Sequence, residues 1–535
     1  MIENATHYEL TLKTSPYGPD QPIINEALAA LLRQPSLQRY LERTEHRLLS
    51  FRMLDENEEC VEKLSHPPET LNRFSADFYD YTNNRTISVA GHLNDLNGIE
   101  VSESSRQPLP TDEEFEDAVE VVRKYPELGA AIHQEDLRPF APVPPFVNTE
   151  LADGRIERVL AVGLLSEKRE IPHRIVGVNM RSKQILRELT GLAFQNADTC
   201  GPPANTACND TGNTGQLWVT TTQAGVTLWR FLVIRPAASS GTNGSGVELR
   251  YVDYRGKRVL FQAHVPILNV LYDEAGRPSN CGPTYRDWQH QETCFQANGT
   301  DIIPGFRLCP QPAQTILDTG TDGGNFRGVA IYIQGQEVVL VSQMSAGWYR
   351  YISEWRFHAD GTIRPRFGFA SIAFNCPCHL HFHHVYWRLD FDIVTSSPNV
   401  VQEYNNPPIF PPSPWHTKKY EIRRPRDATR NRHWLVKNST TNAGYLIIPG
   451  ASDGSMDSYG LGDLWVLRYH SSEIDDGQTF TTVPALSQEH IDNFAIDGEL
   501  VENQDVVLWY AGHFTHSVAV GGAHIVGPEL KPVNW

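Results

Sequence analysis

Two small α+β domains followed by one large antiparallel β-sandwich is the architecture predicted by this 535-residue chain. Three observations carry it. Helical periodicity and strand-like runs occur together twice in the first third. Beyond about residue 190, short β-rich runs separated by Gly, Pro, Asn and Asp continue to the end, as in a sandwich or barrel. The composition, 40% hydrophobic, 10% aromatic and 21% charged, suits packed domains and argues against disorder.

The first domain is drawn over 1–105. Asn25 to Leu49 has apolar residues at i, i+3, i+4 spacing and predicts a helix, and Arg85 to Leu93 predicts a strand. The second, 106–190, opens on Thr111 as an N-cap before Asp112, Glu113 and Glu114, with a helix running on to near Gly129. Arg155 to Leu165 returns to a strand pattern. The sandwich takes 191–535, with β runs at Gln216 to Val233, Val247 to Val270, Val329 to Ser342, Trp348 to Phe357 and Leu464 to His470. Asn406 to Pro414 is Pro-rich and reads as an exposed loop or arm.

Charge narrows the function. Lys plus Arg is 46 and Asp plus Glu is 64, a net of −18, which argues against duplex DNA or an anionic membrane as partner. No stretch approaches 18 apolar residues, so no membrane-spanning helix is expected. The opening Met1 to Leu10 has no apolar signal-peptide core. Yet Cys200/Cys208, Cys281/Cys294/Cys309 and Cys376/Cys378 lie in Gly/Pro/Asn-rich loops, and there are sequons at Asn4, Asn84, Asn209, Asn243, Asn298 and Asn438. These favour an extracellular protein.

The densest chemistry is in CPCHLHFHHVYWRLDFDI, Cys376 to Ile393. His379, His381 and His383 are spaced by two, so on a strand they share a face and aim at a common point, as a metal requires. A further imidazole would come from His513, His516 or His524. Three neutral imidazoles suit Cu(II) or Zn(II); the alternative is a histidine cluster without metal.

From His381 onward the sequence resembles the copper amine oxidases. His381-Phe-His383, four residues and Arg388-Leu-Asp390-Phe-Asp392 resemble that family's HxH-x4-RLDxD signature. Its third copper histidine follows a Trp by seven residues and an Asp by eleven; after Asp505 and Trp509 both offsets fall on His516, with His524 as rival. The resemblance implies a copper amine oxidase-like sandwich, Cu(II) on His381, His383 and His516, and a homodimer.

The family converts a tyrosine to topaquinone. The segment Ser345 to Ile363 resembles TVGNYDY…W…F…DGTI without a gap and puts Tyr349 at the precursor position. The family's Asn is Trp348 here, and its acid is Arg350, an indole and a cation beside the ring. Either the quinone forms in an altered pocket, or Tyr349 stays a tyrosine and the copper does other work.

Oxidising an amine also needs a general base for the proton on carbon. By resemblance Tyr272, in Asn269 to Asp273, falls at the tyrosine that bonds the quinone, and Asp287, fifteen residues on, at the base. Asp390, Asp392 and Asp505 fall at a peripheral calcium site, and oxygen ligands suit such a hard cation. The expected activity is that of a copper-containing primary-amine oxidase, consuming a small amine and O2. The rivals are a copper enzyme of this fold without quinone, and a non-catalytic relative.

Overall fold

The computed structural model describes residues 9–54, 63, 66–142, 145–147, 149–166, 174–186, 199–205, 208, 215–272, 281, 284–478, 484–516 and 524–535. Strands, nearly all paired antiparallel, make up most of the regular structure among the described residues, with short helices near the start.

Two helices, Gln21–Leu31 and Pro35–Leu41, pack on a four-stranded sheet of His46–Met53, Arg73–Asp80, Arg85–His92 and Asp95–Ser104. The single helix expected over Asn25 to Leu49 is therefore two helices and the start of a strand. Pro35 has no N–H to continue the first helix but suits the first turn of the second. Arg43, at φ 63°, then turns the chain into the sheet. Leu31, Leu37 and Leu41 close over Phe74, Phe78 and Val89.

The second unit follows the same plan. Thr111 accepts a hydrogen bond from the Glu114 amide and starts the helix Asp112–Arg123, a cap contributing about 1 kcal/mol. The helical run expected to reach Gly129 breaks, because Pro126 begins a new helix, Pro126–His133. Both cover a sheet of Leu137–Phe140, Val159–Ser166, Arg174–Asn179 and Gln184–Leu186. The two units meet at Glu114, which accepts from Arg158 at 2.6 Å and from the Tyr81 hydroxyl at 2.7 Å.

The remainder is a sandwich of a ten-stranded and a twelve-stranded sheet among the described residues. The strand Leu10–Pro16, within the first small domain as drawn from sequence, instead pairs with Gln216–Gln223 at the edge of the ten-stranded sheet. That sheet centres on three long neighbours, Lys257–Leu271, His381–Val394 and Val506–His516. The other centres on Glu337–Ala346, Tyr349–His358 and Ile363–Ser371. Alternation decides what faces inward. Val385, Trp387, Leu389 and Phe391 share the buried core with Tyr349, Tyr351, Trp355 and Phe357 from the opposite sheet. His381 and His383 have the same parity as that inward set.

Disulfides join Cys200 to Cys378, Cys208 to Cys294 and Cys281 to Cys376; Cys309 is a buried thiol pushed up to about 11 by burial. Asn84, Asn243 and Asn438 are buried, so those sequons are closed in the folded chain, whereas Asn298 is exposed. Asn4 and Asn209 lie outside the described residues. The Pro-rich segment joins Asn399–Tyr404 to Trp415–Lys418 and exposes Phe410.

Candidate metal centre

His381 and His516 stand directly opposite each other in neighbouring antiparallel strands, and His383 follows two residues on along the same face. Nitrogens of the three buried imidazoles lie within 4.8 Å of one another. The Nε2 atoms of His381 and His383 are 3.0 Å apart. Two nitrogens each about 2.0 Å from one metal would be about 3.0–3.4 Å apart, so the donor set fits a copper or zinc ion. The carbonyl of His379 lies 2.7 Å from Nδ1 of His381, fixing the tautomer that leaves Nε2 as the ligand atom. His379 itself turns to Asn375 at 2.8 Å.

The other two late histidines go elsewhere. His513 is three residues before His516 and so projects from the opposite sheet face, where its Nδ1 lies 2.7 Å from Nδ1 of His384. Burial lowers His384 to about 4 and holds His513 well below its ordinary range, so both are neutral. His524 begins a short strand beside Phe369; its side chain lies outside the described residues.

Tyr349 arrives from the other sheet. It follows a two-residue hairpin turn, Gly347-Trp348, with Gly347 at φ 57°, a first central position that favours glycine. Its hydroxyl bonds to Nε2 of His381 and lies 2.8 Å from Nδ1 of His516. The ring stacks on Tyr351 at 5.3 Å and meets His383 edge-on at 4.7 Å. Burial raises the phenol well above its ordinary range.

Trp348 fills the space beside the hairpin. Its Nε1 donates to the Tyr272 hydroxyl at 2.7 Å, and its indole stacks on Phe374 at 4.4 Å. Tyr272 in turn stacks on His381 at 4.6 Å. Arg350 does not bring a free cation to the ring. Its guanidinium turns into a buried pair with Asp322 at 2.8 and 3.0 Å and donates to the Tyr349 carbonyl at 3.1 Å.

Asp287 lies on the same cavity as Tyr349, Tyr272, Tyr285 and Trp348, a space of about 10 Å³. That holds about one water. The Tyr351 hydroxyl donates to Asp287, and burial pushes its carboxyl up to about 7 against that bond. A cleft of about 800 Å³ between the small domains and the sandwich reaches Trp288, the next residue. Tyr351 falls on the last tyrosine of the TVGNYDY-like segment and shares a face with Tyr349, whereas Phe374 and Asp322 complete this centre without any motif to mark them.

Asp390, Asp392 and Asp505 also converge, with oxygens within 4.8 Å. Among them stands the ammonium of Lys63, with Nζ 2.5, 2.9 and 2.7 Å from the three carboxylates. The pull of the three acids outweighs burial and holds Lys63 charged. The ammonium of Lys63 thus occupies the space between the three carboxylates expected to hold calcium.

These features define a β-sandwich protein with a three-histidine centre faced by a hairpin tyrosine. Residues 321–535 match the family model of the copper amine oxidase enzyme domain. A copper-containing amine oxidase gamma 2 of Arabidopsis thaliana is 25% identical over 269 residues, 39% of this chain and 39% of that protein. The chain thus spans about two fifths of the curated relative it matches. A copper-containing benzylamine oxidase from Hansenula polymorpha shares the fold at a TM-score of 0.63, over 97% of this chain and 98% of that one, with 14% identity. A Pichia pastoris lysyl oxidase gives 0.59 over 98% and 90%, with 11% identity. The family match covers about two fifths of the chain, residues 321–535, and the likeness in fold covers nearly all of it.

Proposed function

We propose that the protein is a copper-dependent oxidase that deaminates a primary amine with O2, giving aldehyde, ammonia and hydrogen peroxide, with Tyr349 as the precursor of topaquinone. The observation that carries this is the Tyr349 hydroxyl, held between Nε2 of His381 and Nδ1 of His516. Copper and quinone, when present, supply the redox chemistry and the carbonyl that a primary amine attacks.

The chain's own residues supply the rest. His381, His383 and His516 hold the metal. Tyr272 steers the ring edge and fixes Trp348. Asp287, carrying no proton, accepts one from the substrate carbon at a carboxylate oxygen, and Tyr351 holds that carboxylate in place. The net charge of −18 favours the approach of a cationic amine. The three disulfides support an oxidising, extracellular compartment, and the family supports a homodimer.

The closed cavity supports a second reading, a copper enzyme in which Tyr349 stays unmodified. About 10 Å³ behind Trp348 leaves no space for an amine until that wall moves. The mass of the Tyr349 peptide, after copper loading in air, separates the two readings. A gain of about 30 Da, two oxygens less two hydrogens, with a phenylhydrazine adduct and amine-dependent peroxide, supports the quinone enzyme. An unchanged mass with copper-dependent turnover replaces it with the second.

A further inference from the structure

We infer that the ammonium of Lys63 is a built-in cation that takes the place of a divalent ion among Asp390, Asp392 and Asp505, so that this pocket is closed to calcium and instead ties the N-terminal part of the chain to the sandwich. The inference is independent of the amine oxidase reading and concerns a pocket away from the histidines.

Valence argues first. An ammonium carries three donors, and each has one carboxylate oxygen, at 2.5, 2.9 and 2.7 Å. Calcium asks for six to eight oxygens at about 2.3–2.6 Å. Among the described residues, two aromatic rings flank the ammonium. The Tyr469 ring centroid is 4.1 Å from Nζ and that of Phe261 is 5.1 Å away. Aromatic faces attract an ammonium but cannot coordinate a hard divalent ion.

Charge argues next. The Arg388 guanidinium stands 3.6 Å from Asp390, so two cations face three carboxylates. Burial raises the carboxyl of Asp505, the most exposed of the three at 22%, to about 8, so the cluster holds little charge that a further cation would offset. The Lys63 side chain itself is only 4% exposed, so it is a buried member of the cluster and not a surface tether.

Topology gives the arrangement its consequence. Lys63 lies between the strands His46–Met53 and Arg73–Asp80 of the first small sheet, whereas its three partners are 327, 329 and 442 residues onward. A free ion would join only the two sandwich strands; a lysine also anchors the domain that carries it.

The test uses the full-length, copper-loaded protein. Wild type and Lys63→Ala are equilibrated with calcium, desalted, and assayed for calcium and copper together, then titrated with Tb3+ while exciting protein aromatics. Wild type is expected to retain far less than one calcium per chain, to leave Tb3+ dark and to melt at the same temperature with and without calcium. Lys63→Ala is expected to melt roughly 5–10 °C lower, to regain much of that with calcium, and to give saturable Tb3+ emission sensitised by Tyr469. One calcium per wild-type chain would overturn the inference, as would equal calcium responses of the two proteins or none in either. Should Lys63→Ala fail to fold, wild type and Asp505→Asn decide: calcium uptake by wild type that Asp505→Asn abolishes overturns it, and no uptake by wild type sustains it.

Discussion

The Tyr349 hydroxyl lies 2.8 Å from Nδ1 of His516, although the two residues are 167 positions apart and belong to different sheets of the sandwich. The centre therefore exists only when the sheets pack. One sheet presents the imidazoles and the other brings the phenol to them at a hairpin tip. Removal of one imidazole should cost metal and leave the packing. His516→Ala or His381→Ala is expected to lower copper content at least tenfold at fixed free copper, with circular dichroism unchanged. His513→Asn, on the opposite face beside His384, should keep a full complement. Metal analysis of the three purified variants checks this; copper lost from His513→Asn and kept by His516→Ala would reverse the assignment.

Trp348 governs whether the tyrosine side of the centre is open. Its indole is held by Tyr272 at one end and Phe374 on one face. Trp348→Asn removes both contacts and enlarges a cavity now near 10 Å³. The loss of a buried indole should cost about 3 kcal/mol of stability. Against that cost, the variant is expected to form quinone faster and to turn over bulkier amines. Phenylhydrazine titration and peptide mass read the first effect, and peroxide release the second. Quinone yield no higher than wild type would remove Trp348 as the controlling wall.

How much of this was legible before folding depends on range. The histidine face was readable because His381 and His383 obey a strand period, and Asp505, Trp509 and His516 keep fixed offsets within one strand region. Thr111 was readable because a cap is a local hydrogen bond. The helix drawn through Asn25 to Leu49 failed because periodicity ignored Pro35. Lys63 could not be found at all. It has no motif around it, and what makes it matter is contact with residues more than 300 positions away. Arg350 was placed correctly in sequence but its charge was misjudged, since Asp322, which neutralises it, is 28 residues upstream in a loop.

That pair yields a stability prediction. Arg350 and Asp322 are both buried, and removing one partner strands a charge. Arg350→Ala should destabilise by about 3–5 kcal/mol, whereas Arg350→Met with Asp322→Leu should cost much less, because no unpaired charge remains. Denaturant unfolding of the single and double variants measures the difference. Equal losses in the two would show that the pair acts through packing and not through charge.

The last expectation concerns pH. Burial lifts the Asp287 carboxyl to about 7, against the Tyr351 hydrogen bond. As a base it works only without its proton, so kcat/KM should fall as pH drops through about 7 and level off above it. Asp287→Asn should lower the rate 10²- to 10⁴-fold and remove that limb. The stability effect runs the opposite way. The folded pKa lies above the unfolded one near 3.9, so the folded chain keeps a proton the unfolded chain has lost. The contribution is therefore full below about pH 4 and disappears as pH rises through about 7. In Asp287→Asn that slope should be absent between those limits, at about 1.4 kcal/mol per unit of pH. Opposite slopes in rate and stability, both erased by one substitution, would tie the base and the buried carboxyl to the same atom pair; a rate limb that survives in Asp287→Asn would assign the base elsewhere.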